Sequence, residues 1–130
     1  MSLQPKPGAV VYAKNMSRVA RFYEEVLSMS VTHSESDHVV LESPGFELVI
    51  HAIPKRIADS FQIATPPERR EETPIKLFFH VASIEGIRSR VAALGGELNP
   101  ASRAWEARDF RACDGHDPEG NVVQFRENLA

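Results

Sequence analysis

The sequence predicts an α+β fold built from two βαβββ modules that together form a curved-sheet cleft. One short β-prone segment, an amphipathic helix and three further strand-like segments occur in residues 8–53 and again in 75–128. Residues 54–74 hold four prolines and a run of mixed charge, a composition typical of a linker. We therefore expect one domain over 8–130, with module one at 8–53, the linker at 54–74 and module two at 75–128.

The composition of the chain limits the classes of protein to which it can belong. The chain has 130 residues, of which 42% are hydrophobic and 25% charged, so it can bury one real core. A net charge of −3 argues against non-specific nucleic-acid binding, which needs a basic surface. The single cysteine, Cys113, excludes an intrachain disulfide and a CxxC metal site. No apolar run reaches about 20 residues, and the start MSLQPKPGAV does not resemble a signal peptide, so we expect a cytoplasmic protein without membrane contact.

Module one opens with an apolar segment, Gly8 to Ala13, which predicts a buried strand. Asn15 or Ser17 can cap the helix that follows, Ser17 to Leu27. The apolar side chains of this helix share one face: Val19, Phe22, Tyr23, Val26 and Leu27. Further strands are predicted near Val31, at His38 to Glu42 and at Phe46 to Ile53, with a turn at 43–45.

Module two repeats this order after a linker in which one helical turn is predicted near Ile57 to Phe61. Lys76 to Val81 predicts a strand, and a second amphipathic helix ends at Gly95-Gly96. The two modules align at their helix ends, with Leu27-Ser28 matching Leu94-Gly95. The remaining strands are predicted to start at Leu98 and to span Phe110 to Cys113 and Asn121 to Arg126.

Three motifs carry a family resemblance. Asn15-Met16-Ser17 follows the first strand, Phe22-Tyr23-x-x-Val26-Leu27 lies in the first helix, and Asp117-Pro118-Glu119-Gly120-Asn121 precedes the last strand. With these motifs the chain, over about 8–127, resembles the vicinal-oxygen-chelate superfamily of glyoxalase I, bleomycin-resistance and extradiol-dioxygenase-type proteins. The resemblance implies paired βαβββ modules, a homodimer and a ligand inside the cleft, and it specifies a fold rather than a reaction.

The resemblance also implies four strand positions at which family enzymes hold one divalent metal with His, Glu or Gln. Counting along this chain, the first position is Gly8, the third is Lys76 and the fourth is Gln124. Glycine has no ligand, and a protonated lysine has no lone pair to donate. Only the amide oxygen of Gln124 can bind a metal among these three.

The second position falls between Phe46 and His51. Internal symmetry points to Val49, and strand alternation places Glu47 and His51 on the same face. The best ligand set is therefore Glu47 or His51 together with Gln124, which is too few for a tight site. We expect a degraded metal site and no cofactor, with a bound divalent metal as the alternative.

A candidate ligand pocket follows from strand alternation and the resemblance. Lys76 on the cleft face would attract a carboxylate, phosphate or fosfomycin-like anion, unless its side chain only extends to solvent. His51 either contacts a polar ligand or faces solvent, and Trp105, in a predicted loop, is either a lid or a plug over the core. The predicted pocket residues are Tyr12, His51, Lys76, Phe78, Trp105 and Gln124.

Other reactive side chains are expected to be structural or solvated. His33 and His38 flank a predicted loop, His80 is expected to be structural, and His116 lies in a predicted turn. Cys113 has no neighbouring histidine in sequence, so we expect a buried, inert thiol.

Three functions fit these observations. The first is a glyoxalase/bleomycin-resistance-like protein that binds a small anionic or aromatic molecule without a metal. The alternative is a divalent-metal-dependent lyase, isomerase or dioxygenase of the glyoxalase type. The third is a structural or protein-interaction module whose cleft is filled by its own side chains. We expect a small molecule and a second copy of the chain as partners, and neither nucleic acid nor membrane.

Overall fold

The computed structural model describes residues 5–129 and divides into two compact units, the first ending at Gln62 and the second beginning at Ile63. This boundary falls within the predicted linker. The start of the chain, where no signal peptide is expected, and Ala130, the predicted end of the domain, lie outside the described residues. Each unit contains one sheet and one helix packed on it, which confirms the α+β class.

Unit 1 has one four-stranded sheet in the order β1-β4-β3-β2. Strands β1 and β4 are parallel, and the other pairs are antiparallel. Two parallel strands must be joined by a crossover connection. Here the connection from β1 to β4 starts with helix α1. The elements are β1 (Gly8–Ala13), α1 (Met16–Leu27), β2 (Ser30–Ser34), β3 (His38–Ser43), β4 (Phe46–Ala52) and the short α2 (Lys55–Ala58).

Unit 2 repeats this plan in a five-stranded sheet with the order β5-β9-β8-β6, in which β7 also pairs with β8. The first and last strands of unit 2 along the sequence, β5 and β9, form a parallel pair, as β1 and β4 do in unit 1. The internal repeat is therefore present in the strand order of the sheets as well as in the order of elements along the chain. The elements are β5 (Leu77–Val81), α3 (Ile84–Ala93), β6 (Glu97–Leu98), β7 (Trp105–Ala107), β8 (Phe110–His116) and β9 (Val122–Asn128).

Helices α1 and α3 end where the sequence predicts, and α1 begins one residue before its predicted start at Ser17. The side chain of Asn15 accepts a hydrogen bond from the Arg18 N–H at 3.1 Å, and Ser83 caps α3 in the same way. After the helices, Ser28 and Gly95 both have positive φ, 53° and 96°. The predicted alignment of the two helix ends is therefore confirmed by backbone conformation.

The first strand is not buried as predicted. Val10 is 53% exposed and Tyr12 is 60% exposed, whereas Ala13 is fully buried. The reason is that α1 packs on only one side of the sheet, so alternate residues of β1 lie on the uncovered side. The unit 1 core lies under α1 and includes Phe22, Tyr23, Leu41, Leu48 and Ile50.

Unit 2 differs from the prediction in two places. Strand β8 continues to His116, so this histidine lies in a strand and is buried rather than in a turn. Trp105 lies in the short strand β7, opposite Ala112, rather than in a loop. A hairpin with Arg108 at φ 49° creates this strand, and its sequence Trp-Glu-Ala lacks the β-branched residues that would have predicted it.

Smaller differences occur at element ends. The helical turn in the linker spans Lys55–Ala58 instead of the predicted Ile57 to Phe61, and Lys76 precedes β5 instead of starting it. Over the described part of the chain, none of the helices has the length and apolar character needed to span a membrane.

Candidate functional site

In each unit the sheet has a helix face and an opposite face, which we call the open face. On the open face of unit 2, strand pairing sets Phe78 beside Gln124, and Gln124 beside Asp114. Arg126 follows Gln124 by two residues, so it lies on the same face. These side chains come from the three paired strands β5, β9 and β8, so the register of the sheet fixes the spacing of their backbone positions.

Polar contacts connect four side chains across this face. Lys76 Nζ lies 2.9 Å from Asp114 Oδ2, and Gln124 Nε2 donates to Asp114 Oδ1 at 3.3 Å. Arg126 Nε in turn donates to Gln124 Oε1 at 2.7 Å. The charge of Lys76 is thus compensated by Asp114, and both ends of the Gln124 amide are engaged.

Arg126 lies between two aromatic rings. Its guanidinium carbon is 3.6 Å from the ring centroid of Phe78 and 4.2 Å from that of Phe110. Within residues 5–129, no carboxylate forms an ion pair with Arg126. An arginine held by π contacts and by a neutral amide keeps its full positive charge available.

The sequence prediction missed Arg126 and chose Lys76 as the cation of the pocket. Strand alternation alone could have found it, because Arg126 lies two residues after Gln124 in the last predicted strand. The prediction also allowed Lys76 to reach solvent and contact nothing, whereas the structure pairs it with Asp114.

The residues at the implied metal positions do not fit a divalent metal. A Cβ at Gly8 would lie 2.2 Å from the backbone oxygen of Glu47, so no side chain fits there. Lys76 is paired with a carboxylate, and the Gln124 oxygen accepts a hydrogen bond from Arg126. Because a structural or catalytic metal needs three or four protein ligands, this donor set is insufficient.

The open face of unit 1 carries a row of rings. The ring centroids of Tyr12 and His51 are 5.6 Å apart, and those of His51 and His38 are 5.8 Å apart with nearly parallel planes. His33 continues the row at 5.5 Å from His38. The prediction that His33 and His38 flank a loop is confirmed, since His33 lies near the end of β2 and His38 starts β3. His33 is exposed as expected, whereas the side chain of His38 is only 28% exposed.

Asp37 lies beside the two middle rings of this row, immediately before β3. Its Oδ1 is 2.7 Å from His38 Nδ1, and its Oδ2 is 3.8 Å from His51 Nε2. The hydrogen bond from His38 is the main cause that lowers the pKa of the Asp37 carboxyl. Asp37 and His51 also line a cavity of about 570 Å³, together with Lys14 and Lys55.

The two remaining candidates lie elsewhere in unit 2. Trp105 borders a cavity of about 270 Å³ with residues that include Ile84 and Ala101. Cys113 is fully buried, and burial raises the pKa of its thiol. The buried position of Cys113 is as predicted, and its inertness stays a prediction.

The predicted pocket residues therefore fall into two groups. Tyr12 and His51 are neighbours on the open face of unit 1. In unit 2, Phe78 is the register partner of Gln124, and Lys76 joins them through Asp114. Trp105 lies on the edge strand β7, and the proposed lining role of all six stays a prediction.

Comparison with known proteins identifies the family. A family model described as glyoxalase-like domain matches residues 8–125. No curated protein sequence matches the chain.

Solved structures share the fold at low sequence identity. A glyoxalase/bleomycin resistance protein/dioxygenase family enzyme from Burkholderia phytofirmans is similar with a TM-score of 0.67 and 19% identity, over 94% of this chain and 97% of that chain. A glyoxalase-related enzyme from Fulvimarina pelagi has a TM-score of 0.66 and 18% identity, over 97% and 89%. A bleomycin-binding protein from Streptomyces verticillus has a TM-score of 0.57 and 16% identity, over 98% and 99%.

Proposed function

The chain belongs to the glyoxalase-like family of the vicinal-oxygen-chelate superfamily, and on this premise we propose that it binds a small molecule with an acidic group. The acidic group is a carboxylate, phosphate or phosphonate. Binding uses the open face of unit 2 and requires no metal at the four positions that the family resemblance implies.

The observation that carries this proposal is the environment of Arg126. The guanidinium is oriented by Phe78, Phe110 and the Gln124 amide, and no carboxylate of residues 5–129 neutralises it. A guanidinium with a planar array of donors suits two oxygens of an acid, and a pre-oriented side chain loses little entropy on binding.

The neighbouring side chains favour a ligand that also has an apolar or aromatic part. Phe78 is 50% exposed, so its ring offers apolar surface beside the guanidinium. Lys76 supports the site indirectly, because it compensates the charge of Asp114, which would otherwise repel an acid. The neighbour from Streptomyces verticillus, which was solved with copper(II)-bleomycin, supports small-molecule binding by this fold.

The alternative, a metal-dependent lyase, isomerase or dioxygenase, has fewer supporting residues. Gly8 and Lys76 offer no ligand, and the Gln124 oxygen is engaged by Arg126. A metal ion whose binding depends on Glu47 or Gln124 would favour this alternative, and metal analysis of those two alanine variants tests it.

The proposal includes a homodimer in the cytoplasm. The dimer is supported by the exposed apolar side chains Val10 and Tyr12 on the open face of unit 1. Sedimentation equilibrium of the wild-type chain and of Tyr12→Ser measures the mass in solution. A wild-type chain that remains monomeric at high concentration contradicts the dimer.

A thermal-shift series tests ligand binding. The probes are phenylphosphonate, benzoate and inorganic phosphate, with benzyl alcohol as the neutral aromatic. Specific binding at about one hundred times Kd stabilises the fold by about 2.7 kcal/mol. We expect at least one aromatic acid to raise Tm and benzyl alcohol to leave Tm unchanged.

Arg126→Gln should abolish this shift, because it removes the charge while retaining a polar, though shorter, side chain. Arg103→Gln is the matched control, since it removes the same charge from an exposed position of the same unit. The proposal fails if no acid raises Tm, or if the shift persists in Arg126→Gln.

A further inference from the structure

We propose that Asp37, His38 and His51 form a binding site for a divalent transition-metal ion on unit 1. Each residue offers one ligand atom, and these atoms all lie within 4.8 Å of one another. The site shares only His51, a candidate for the second position, with the set that the family resemblance implies, and neither Gly8 nor the residues of unit 2 contribute. It is also independent of the acid-binding role proposed for Arg126.

The ring of His51 is oriented for this role. Its Nδ1 lies 2.9 Å from the backbone oxygen of Ala52. A carbonyl oxygen can only accept a hydrogen bond, so Nδ1 carries a proton, and in the neutral ring Nε2 offers the lone pair. That lone-pair nitrogen is the atom 3.8 Å from Asp37 Oδ2. A backbone carbonyl that fixes the tautomer is the usual partner of a metal-binding histidine.

His38 is held beside His51 by the sheet. The two residues are register partners in the antiparallel pair of β3 and β4, and their rings are stacked at an interplanar angle of 10°. His38 Nδ1 lies 2.7 Å from Asp37 Oδ1. Two ligands on adjacent paired strands need little rearrangement to bind one ion.

Asp37 supplies the adjustable ligand. Its side chain is 62% exposed, so it can rotate without disturbing the core. In the tetrahedral geometry of zinc, two ligands at bond lengths of about 2.1 Å lie about 3.4 Å apart. The three ligand atoms, all within 4.8 Å of one another, therefore need to approach by at most about 1.4 Å.

Two imidazoles and one carboxylate select the class of ion. This set suits Zn²⁺, Co²⁺, Ni²⁺ or Cu²⁺, whereas Mg²⁺ and Ca²⁺ prefer oxygen ligands. Asp37 and His51 also line the 570 Å³ cavity, which leaves room for water or a ligand to complete the coordination. Two lysines also line this cavity, and each has a partner outside the proposed site. Lys14 donates to the Phe61 backbone oxygen at 2.6 Å, and Lys55 pairs with Asp59 at 2.7 Å.

Titration with Zn²⁺ and Co²⁺ tests the site, using full-length protein without a polyhistidine tag. We expect one Zn²⁺ per chain by calorimetry and a visible absorption band with Co²⁺. His38→Ala and His51→Ala should each weaken binding at least about tenfold. His80→Ala is the matched control, because it removes an exposed histidine from a strand of unit 2 and should not change the affinity.

A second measurement needs no variant. Diethylpyrocarbonate modifies accessible histidines, and bound Zn²⁺ should protect His38 and His51 while leaving His80 reactive. The proposal is overturned if Zn²⁺ does not bind, if it protects neither histidine, or if His80→Ala weakens binding as much as His51→Ala. Binding that is lost in Gln124→Ala but retained in His38→Ala would also overturn it.

Discussion

The guanidinium carbon of Arg126 lies 3.6 Å from the ring centroid of Phe78. Phe78 belongs to β5 and Arg126 to β9, the parallel pair at the edge of the unit 2 sheet. Because Phe78 is half exposed, its ring contributes more to holding the arginine than to filling the core. Phe110 holds the opposite side of the same guanidinium from β8.

We expect Phe78→Leu to weaken acid binding while the fold remains stable. Leucine keeps an apolar side chain but removes the ring quadrupole that attracts the guanidinium. The free energy of unfolding should fall by at most about 1 kcal/mol, as for loss of one cation–π contact at an exposed site. Calorimetric titration with phenylphosphonate measures the affinity.

Ile75→Ala is the control for this variant. Ile75 is more exposed than Phe78 and precedes β5, so its truncation should change neither acid affinity nor stability. Unchanged affinity in Phe78→Leu would show that the ring does not position Arg126.

Asp117 stabilises the turn before β9 from a fully buried position. Its Oδ1 accepts from the N–H groups of Glu119 and Asn121 at 2.8 and 3.1 Å, and its Oδ2 accepts from Asn121 Nδ2 at 2.8 Å. Asp117→Ala leaves these donors without that acceptor and should cost about 2–4 kcal/mol. Urea unfolding followed by the fluorescence of the single Trp105 measures it.

Asp117→Asn should be milder, because its amide oxygen can still accept from both backbone N–H groups. Asp109→Ala is the exposed control and should change stability by less than about 0.5 kcal/mol. Equal stability of Asp117→Ala and Asp109→Ala would contradict this role.

Gly120 allows the same turn to approach the linker. Its φ is 86°, and a Cβ would lie 2.0 Å from the backbone oxygen of Glu68. We expect Gly120→Ala to destabilise unit 2 by more than about 1 kcal/mol in urea unfolding.

Gly45→Ala is the control that distinguishes backbone strain from a steric clash of the new Cβ. Gly45 also has a positive φ, but outside its own chain neighbours no atom lies within 4 Å of its Cβ position. Gly45→Ala should destabilise the protein less than Gly120→Ala. The reverse order would mean that the contact with Glu68 is not the limiting factor.

Cys113 should react slowly with alkylating reagents. Burial raises the pKa of its thiol, which keeps the reactive thiolate scarce, and the side chain is inaccessible. Iodoacetamide labelling followed by mass spectrometry should show much faster reaction in urea than in buffer. As Cys113 is the only cysteine, no other residue contributes to the signal.

The same raised pKa predicts a pH dependence. A thiol that is neutral in the fold contributes stability below the ordinary thiol pKa, and this contribution falls as the pH rises through that value towards the raised one. The difference in stability between the wild-type chain and Cys113→Ala should show this trend. A native labelling rate equal to that in urea would contradict both expectations.

Local patterns were enough for the repeated architecture. The apolar face of α1 and the helix ends at Ser28 and Gly95 depend on residues within a few positions of each other, so the sequence predicted them. For the cap of α1 the sequence offered Asn15 or Ser17, and the structure selects Asn15. The short strand β7 was missed because only Trp105 of its three residues favours strands, and pairing with β8 decides its conformation.

The candidate site depended on contacts across strands. Gln124 and Lys76 could be selected by counting residues, but the partners of Lys76 and Arg126 could not be selected in this way. Asp114 lies 38 residues from Lys76, and only the hydrogen-bonded register of β8 with β9 and β5 brings them together.

The sequence by itself determined the fold class and the repeat, because short-range periodicity is a property of the chain alone. That Gly8 and Lys76 leave the metal site degraded stays a prediction. Only the tertiary structure decided that Arg126 lies against Phe78 and Phe110 without a carboxylate partner among residues 5–129, and that His38 stacks on His51. Such neighbours are set by strand order and register, which depend on packing a whole sheet against its helix.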